Sequence, residues 1–215
     1  MRWLALLGSA GCSSLATLHG ARTLDPGEVQ VGVAASVQHG NNPLTSELAF
    51  LPQLELAARV GVDEDVDVGM RAYLVGAGGD VRYRFHHSDT FDLATAPGLD
   101  LFYLPTVGGS AQLRTPVLGE WIVSRSFSVG GGPALLLRDQ WNRVKVEGET
   151  GTSARLDVFL GGGGRLQVLA GPVVFGAALD VYAQPARRAG PAWSAGVDLA
   201  LRTPPKRPPP PPPEP

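Results

Sequence analysis

Residues 51–85 read LPQLELAARVGVDEDVDVGMRAYLVGAGGDVRYRF and hold three consecutive segments written in period two. In the first, Leu54, Leu56, Ala58 and Val60 alternate with Gln53, Glu55, Ala57 and Arg59. In the second, Val66, Val68, Met70, Ala72 and Leu74 alternate with Asp67, Gly69, Arg71 and Tyr73. The third sets Val81, Tyr83 and Phe85 against Asp80, Arg82 and Arg84. Successive side chains of a strand point to opposite faces, so the stretch describes a sheet with one apolar and one charged face.

The same grammar runs outward in both directions. Upstream, Val29, Val31, Val33, Ala35 and Val37 share a face of a strand over 28–39, which a loop at Gly40-Asn41-Asn42-Pro43 separates from the strand over 48–61. Reversals are expected at 61–65 and 75–79. Downstream, strands are expected over 91–103, bent at Pro97 because proline cannot donate to a ladder, and over 111–122 and 126–138. A long polar connection over 139–152 leads to a strand over 154–161, a glycine run and a turn near Gly164-Arg165. The last two strands lie over 173–181 and 193–201. The spacing predicts an all-β fold, an antiparallel up-and-down β-barrel of about ten strands within a range of eight to twelve. Short turns near 62–65, 87–90, 123–125 and 164–166 alternate with longer connections near 40–47, 104–110, 139–152 and 184–190.

A chain of 215 residues with 44% hydrophobic content is long enough for one such domain, over 28–202. The formal net charge of -2 argues against a nucleic-acid partner. No stretch approaches the roughly 20 apolar residues of a spanning helix. At the start, Met1-Arg2 precedes a short apolar run and small residues, the pattern of an export signal over 1–11. Ser9-Ala10-Gly11-Cys12 resembles the lipobox of bacterial lipoprotein precursors, with Ser9 where leucine is usual. That resemblance implies cleavage before Cys12 and lipid on its sulfur. A plain signal peptide with an incidental cysteine is the alternative. Residues 12–27 read as a tether. The tail, TPPKRPPPPPPEP over 203–215, reads as a solvated polyproline II segment, or as a spacer toward a periplasmic or cell-wall partner.

Alternation alone leaves open which face points out. Three features favour a polar interior. The polar stripe is rich in small residues such as Gly32, Ala34, Gly69, Ala94, Gly130 and Gly176, which suit the inside of a narrow barrel. It also carries acids and arginines together: Glu55, Asp67, Asp80, Asp92, Asp100, Glu120, Asp157, Asp180 and Asp198 with Arg59, Arg71, Arg82, Arg84, Arg114 and Arg155. Charges enclosed in a lumen need partners, because an unpaired buried charge costs several kcal/mol. Finally, Trp121, Trp193, Tyr73 and Tyr103 fall at strand ends, where interfacial aromatic girdles occur. On this pattern, region 28–202 resembles small bacterial outer-membrane β-barrel proteins, although Leu201-Arg202 replaces the aromatic on which those chains usually finish.

The resemblance implies an outer-membrane lipoprotein of a Gram-negative bacterium, in contact with membrane lipid and serving a structural or surface-interaction role or forming a narrow channel. The competing expectation is a soluble, lipid-anchored, lipocalin-like barrel with Val33, Leu56, Val68 and Leu179 around a hydrophobic ligand. Chemistry has little support in the sequence. His86-His87-Ser88-Asp89 reads as a solvated turn, and the runs Gly130–Gly132 and Gly161–Gly164 lack the helix and lysine of a phosphate loop. Neither an enzyme activity nor a metal or other cofactor is expected.

Overall fold

The computed structural model describes residues 19–41, 48–104, 108–146, 149–185 and 191–203, and these build one closed antiparallel barrel. Its strands are β1 (Val29–Asn41), β2 (Leu48–Asp63), β3 (Val66–Tyr73), β4 (Gly76–His87), β5 (Phe91–Thr95), β6 (Gly98–Leu104), β7 (Gly108–Ser124), β8 (Phe127–Val146), β9 (Glu149–Ala170), β10 (Val173–Ala183) and β11 (Ala192–Arg202). Apart from β5 and β6, which do not pair with each other, each pairs with its chain neighbours, and β1 closes the ring on β11 from Gln30↔Arg202 to His39↔Trp193. Strands β5 and β6 both lie between β4 and β7, so the eleven segments occupy ten places around the ring. The break between them falls at Ala96-Pro97, where the expected bend stands, and the Pro97 carbonyl still accepts from Val81 N–H at 3.1 Å. Among the described residues there is no helix.

Three expected boundaries are corrected. The turn expected near Gly164-Arg165 is absent; β9 runs straight through 161–166, and the chain reverses at Gly171-Pro172, where Gly171 takes φ +61°. Glycine is tolerated there because Gly131, Gly132 and Pro133 of β8 pair with Gly164, Gly163 and Gly162, and two bare backbones approach closely. The polar connection over 139–152 is no loop either. Pairing of β8 with β9 continues to Val146↔Glu149, so the hairpin outgrows the described part of the ring, and among the described residues, 149–159 pair with β8 alone. Gly76–Gly79 belong to β4, and the reversal before them is Leu74-Val75.

The apolar stripe points outward. Val33 is 51% exposed, Leu56 63%, Val68 40% and Leu179 54%, whereas Asp67, Asp92 and Asp100 are 0% exposed. Those four apolar side chains cover the outer wall, which overturns the soluble barrel with an apolar ligand inside. Near the short turns the outer wall carries Tyr83, Phe85, Phe91 and Trp121, the last two with ring centroids 4.9 Å apart. Tyr103 lies outward at the opposite end and Trp193 stacks near His39 at 5.7 Å. Tyr73 is the exception among the four aromatics expected at strand ends; it points inward and is 8% exposed. Cys12 and the tail beyond Thr203 lie outside the described residues.

Candidate functional site

The lumen is the site, and it is built in two layers. Inward positions on each strand are every second residue, so Arg59 of β2, Asp67 of β3, and Asp80 and Arg82 of β4 meet near the short-turn end. Arg59 bridges the carboxylates of Asp67 and Asp80, while Arg82 donates through Nε and Nη2 to Asp67 Oδ2, the Nε bond being 3.0 Å. Across the barrel Ser128 Oγ donates to Glu120 Oε1 at 2.6 Å, and Arg165 Nη2 lies 3.0 Å from Asp198. Paired this way, buried charges hold the walls together without the penalty of isolated ones.

Toward the loops the lumen is filled by large side chains. Arg71 donates to Asp100 through Nε at 2.7 Å and Nη2 at 3.1 Å, and Tyr73 Oη donates to the same carboxylate at 3.1 Å. Arg138 donates twice to Gln112 Oε1, at 3.2 and 3.1 Å, with its guanidinium 5.1 Å from the Phe159 ring centroid. Leu136, Phe159 and Tyr182 pack beside them in one buried cluster.

The short-turn layer has small walls, and its space is taken by the chain's own residues 19–28. Asp25-Pro26-Gly27-Glu28 forms a turn, with Gly27 at φ +77° and Glu28 N–H donating to the Asp25 carbonyl at 2.9 Å. Proline followed by a positive-φ glycine is the type II pattern. Because β1 rises from this turn along the wall, the preceding residues run back up inside it. Ala21 and Leu24 are 0% exposed and Thr23 6%.

Wall groups grip this segment by its backbone. Leu24 N–H donates to Asp67 Oδ2 and Arg22 N–H to Glu120 Oε2, both at 3.0 Å, and Arg82 Nη1 donates to the Gly20 carbonyl at 2.7 Å. Thr23 Oγ1 donates to the Glu64 carbonyl at 2.7 Å. Ala21 packs on Ala94, Ala96 and Leu118. His19 borders a cavity of about 60 Å³ beside Gly32, Arg59 and Asp198, and another of about 20 Å³ beside Gly131, Gly163 and Asp180. Together those residues come from β1, β2 and β8 to β11, more than half of the ring, so the imidazole stands inside the lumen. Residues 19–27 were expected as tether; from His19 to Leu24 they are lumen filling, because small walls leave room and polar walls supply partners.

Most of the charged residues singled out in the sequence face this interior. Glu55, Asp92, Asp100, Arg114, Glu120, Asp157 and Asp180 are all buried. Asp157 accepts from Arg155 Nε and from Gln184 Nε2, each at 2.6 Å. Arg84 is different: it pairs at the rim with the exposed Asp65 at 2.9 Å, since the chain is already turning there. Sequence reasoning missed Arg165, which was assigned to a turn, and His87, whose Nδ1 meets the buried Asp92 carboxylate at the lumen mouth. It also missed Gln112, which an inward-position count along β7 would have found. Among the described residues no cluster of histidine, cysteine, aspartate and glutamate suits a metal ion.

No protein-family model matches the chain, and neither does any curated protein. Solved structures do. The chain is similar to Ail, the attachment invasion locus protein of Yersinia pestis, at 12% identity over 83% of this chain and 99% of that one, with a TM-score of 0.40. It is also similar to the outer membrane protein OprG of Pseudomonas aeruginosa, at 11% identity over 85% and 98% with a TM-score of 0.39. The translocator domain of the autotransporter NalP from Neisseria meningitidis shares 11% identity over 94% of each chain, with a TM-score of 0.45.

Proposed function

We propose that the chain is an outer-membrane β-barrel lipoprotein of a Gram-negative bacterium, with a structural or surface-interaction role and a lumen closed at rest. One observation carries this reading: the barrel is apolar outside and charged inside. A strand-built wall of exposed Val, Leu and aromatic residues around paired arginines and carboxylates is unstable in water, and it matches hydrocarbon flanked by interfacial aromatics. Ring closure leaves no sheet edge to be satisfied by lipid.

The surface role rests on the projecting β8–β9 hairpin, which stands on the side of the longer connections. Among the described residues, 149–159 pair on one side only, beyond the closed ring, and such an edge offers backbone groups to a binding partner. A channel role has weaker support, because side chains fill one layer of the lumen and residues 19–24 fill the other.

The test is carbonate extraction of membranes, followed by electrophoresis of detergent-solubilised protein with and without boiling. Retention together with a mobility change on boiling is expected. Carbonate release, or one mobility regardless of heating, would sink the reading. The intact protein should give no steady conductance in a planar bilayer.

A further inference from the structure

We propose that the short-turn half of the lumen is a polypeptide-binding site, occupied in cis by residues 19–25. The inference rests on the barrel reading above and goes beyond it by naming what the lumen recognises. The charged wall groups recognise backbone, and packing selects the side chains. Two wall carboxylates, Asp67 and Glu120, accept from consecutive alternate N–H groups of the segment, at Leu24 and Arg22, while Arg82 donates to the Gly20 carbonyl. These three wall groups come from β3, β4 and β7, so the segment is held along one arc of the wall.

Shape follows the same logic. A Cβ at Gly20 would lie 2.2 Å from Glu120 Oε2, and one at Gly61 of β2 would lie 2.0 Å from the Asp25 carbonyl oxygen. Wall and segment are each stripped to glycine where they approach. Gly61 also exchanges two backbone bonds with the turn, its carbonyl accepting from Gly27 N–H and its N–H donating to the Glu28 carbonyl, both at 2.9 Å. The site therefore takes a non-helical polypeptide segment with small residues at two successive positions, here Gly20 and Ala21, followed by an apolar anchor, here the fully buried Leu24. Access is from the short-turn end, because Asp25, Pro26 and Gly27 are exposed there while large side chains fill the lumen toward the loops.

The exposed Pro26-Gly27 turn allows a direct experiment on the full chain. A protease recognition sequence is inserted between Pro26 and Gly27, the protein is folded in detergent and cut, and a labelled synthetic peptide of residues 13–27 is added in excess. We expect the cut fragment to stay bound through gel filtration and to exchange with the labelled peptide at one per barrel. A Gly20→Leu peptide should bind at least about tenfold more weakly, from overpacking against Glu120. Loss of the fragment without binding of the labelled peptide overturns the proposal, as does equal binding of the Gly20→Leu peptide. Retention with no exchange overturns it too, since the segment is then a permanent piece of core. The mobility change on boiling, measured before and after cutting, separates these outcomes from failure of the barrel reading itself.

Discussion

Replacing Gly61 by alanine adds one methyl group to β2 and tests whether residues 19–28 sit in the lumen for the reasons given. The added Cβ would meet the Asp25 carbonyl oxygen at 2.0 Å and that of Leu24 at 2.7 Å, both backbone atoms. The segment has to move away from the wall. At risk are the two 2.9 Å bonds between Gly61 and the turn and the 3.0 Å bond from Leu24 N–H to Asp67. Neutral bonds are worth about 1 kcal/mol each and one to a carboxylate about 1.5–3 kcal/mol. Partial exposure of Leu24 adds to these losses, so with about half recovered by relaxation the cost is about 2–4 kcal/mol. Hydrogen exchange of the amides over 20–25, followed in detergent by mass spectrometry, should then accelerate by roughly 30- to 700-fold at about 1.4 kcal/mol per decade. Gly164→Ala is the control, because its Cβ meets only the Gly130 carbonyl, at 3.8 Å, and should change exchange little. Protection over 20–25 within threefold of the parent in Gly61→Ala would refute the packing argument.

Other perturbations read other parts of the molecule. Asp67→Asn removes a fully buried charge that serves Arg59, Arg82 and the Leu24 amide together. Breaking such a network costs about 3–5 kcal/mol, and the temperature at which the folded gel band is lost should fall by several degrees or more; an unchanged temperature contradicts the lumen network. Leu56→Arg places a charge on the outer wall at a position 63% exposed. In lipid this costs about 2–4 kcal/mol near the midplane, so the fraction inserted into vesicles should drop, and insertion equal to the parent's would contradict a lipid-facing β2. Cys12→Ser should abolish labelling by radioactive palmitate while carbonate resistance persists, whereas release on carbonate treatment would show that lipid alone holds the protein.

The barrel was legible because its message is repeated on every strand. Period two, turn residues at regular spacing and an acid–arginine stripe each specify one face, and a register slip would bury that face in the wrong medium. Inside-out polarity was legible from glycine and alanine on the charged stripe. Boundaries in glycine-rich stretches were not. Gly164-Arg165 after a glycine run looks like a turn when read alone, yet it lies within β9, where Gly163 and Gly164 pair with Gly132 and Gly131 of β8, partners remote in sequence. The connection over 139–152 was misread because its residues are mostly polar, although pairing of β8 with β9 continues to Val146↔Glu149.

Residues 19–25 were hidden for a deeper reason. HGARTLD has no period, because a segment held by its backbone needs no repeating face; its contacts are with Asp67, Arg82 and Glu120, at 43, 62 and 98 residues' separation. The available clue was on the other side of the contact. Near the short turns several inward positions, Gly32, Gly61, Gly69, Gly130 and Gly163, carry no side chain, so the volume there is left to other groups: Arg59 beside Gly69, Asp180 beside Gly163, and the backbone of Leu24 and Asp25 beside Gly61. In a closed interior such volume must hold water, ligand or chain, since native packing tolerates few voids. Asp25-Pro26-Gly27 then supplies the reversal that turns the preceding residues back toward that volume. An inward stripe bare of side chains, next to a turn that points the preceding residues inward, is thus the signature of a self-filled lumen, and the Gly61→Ala exchange rates test it.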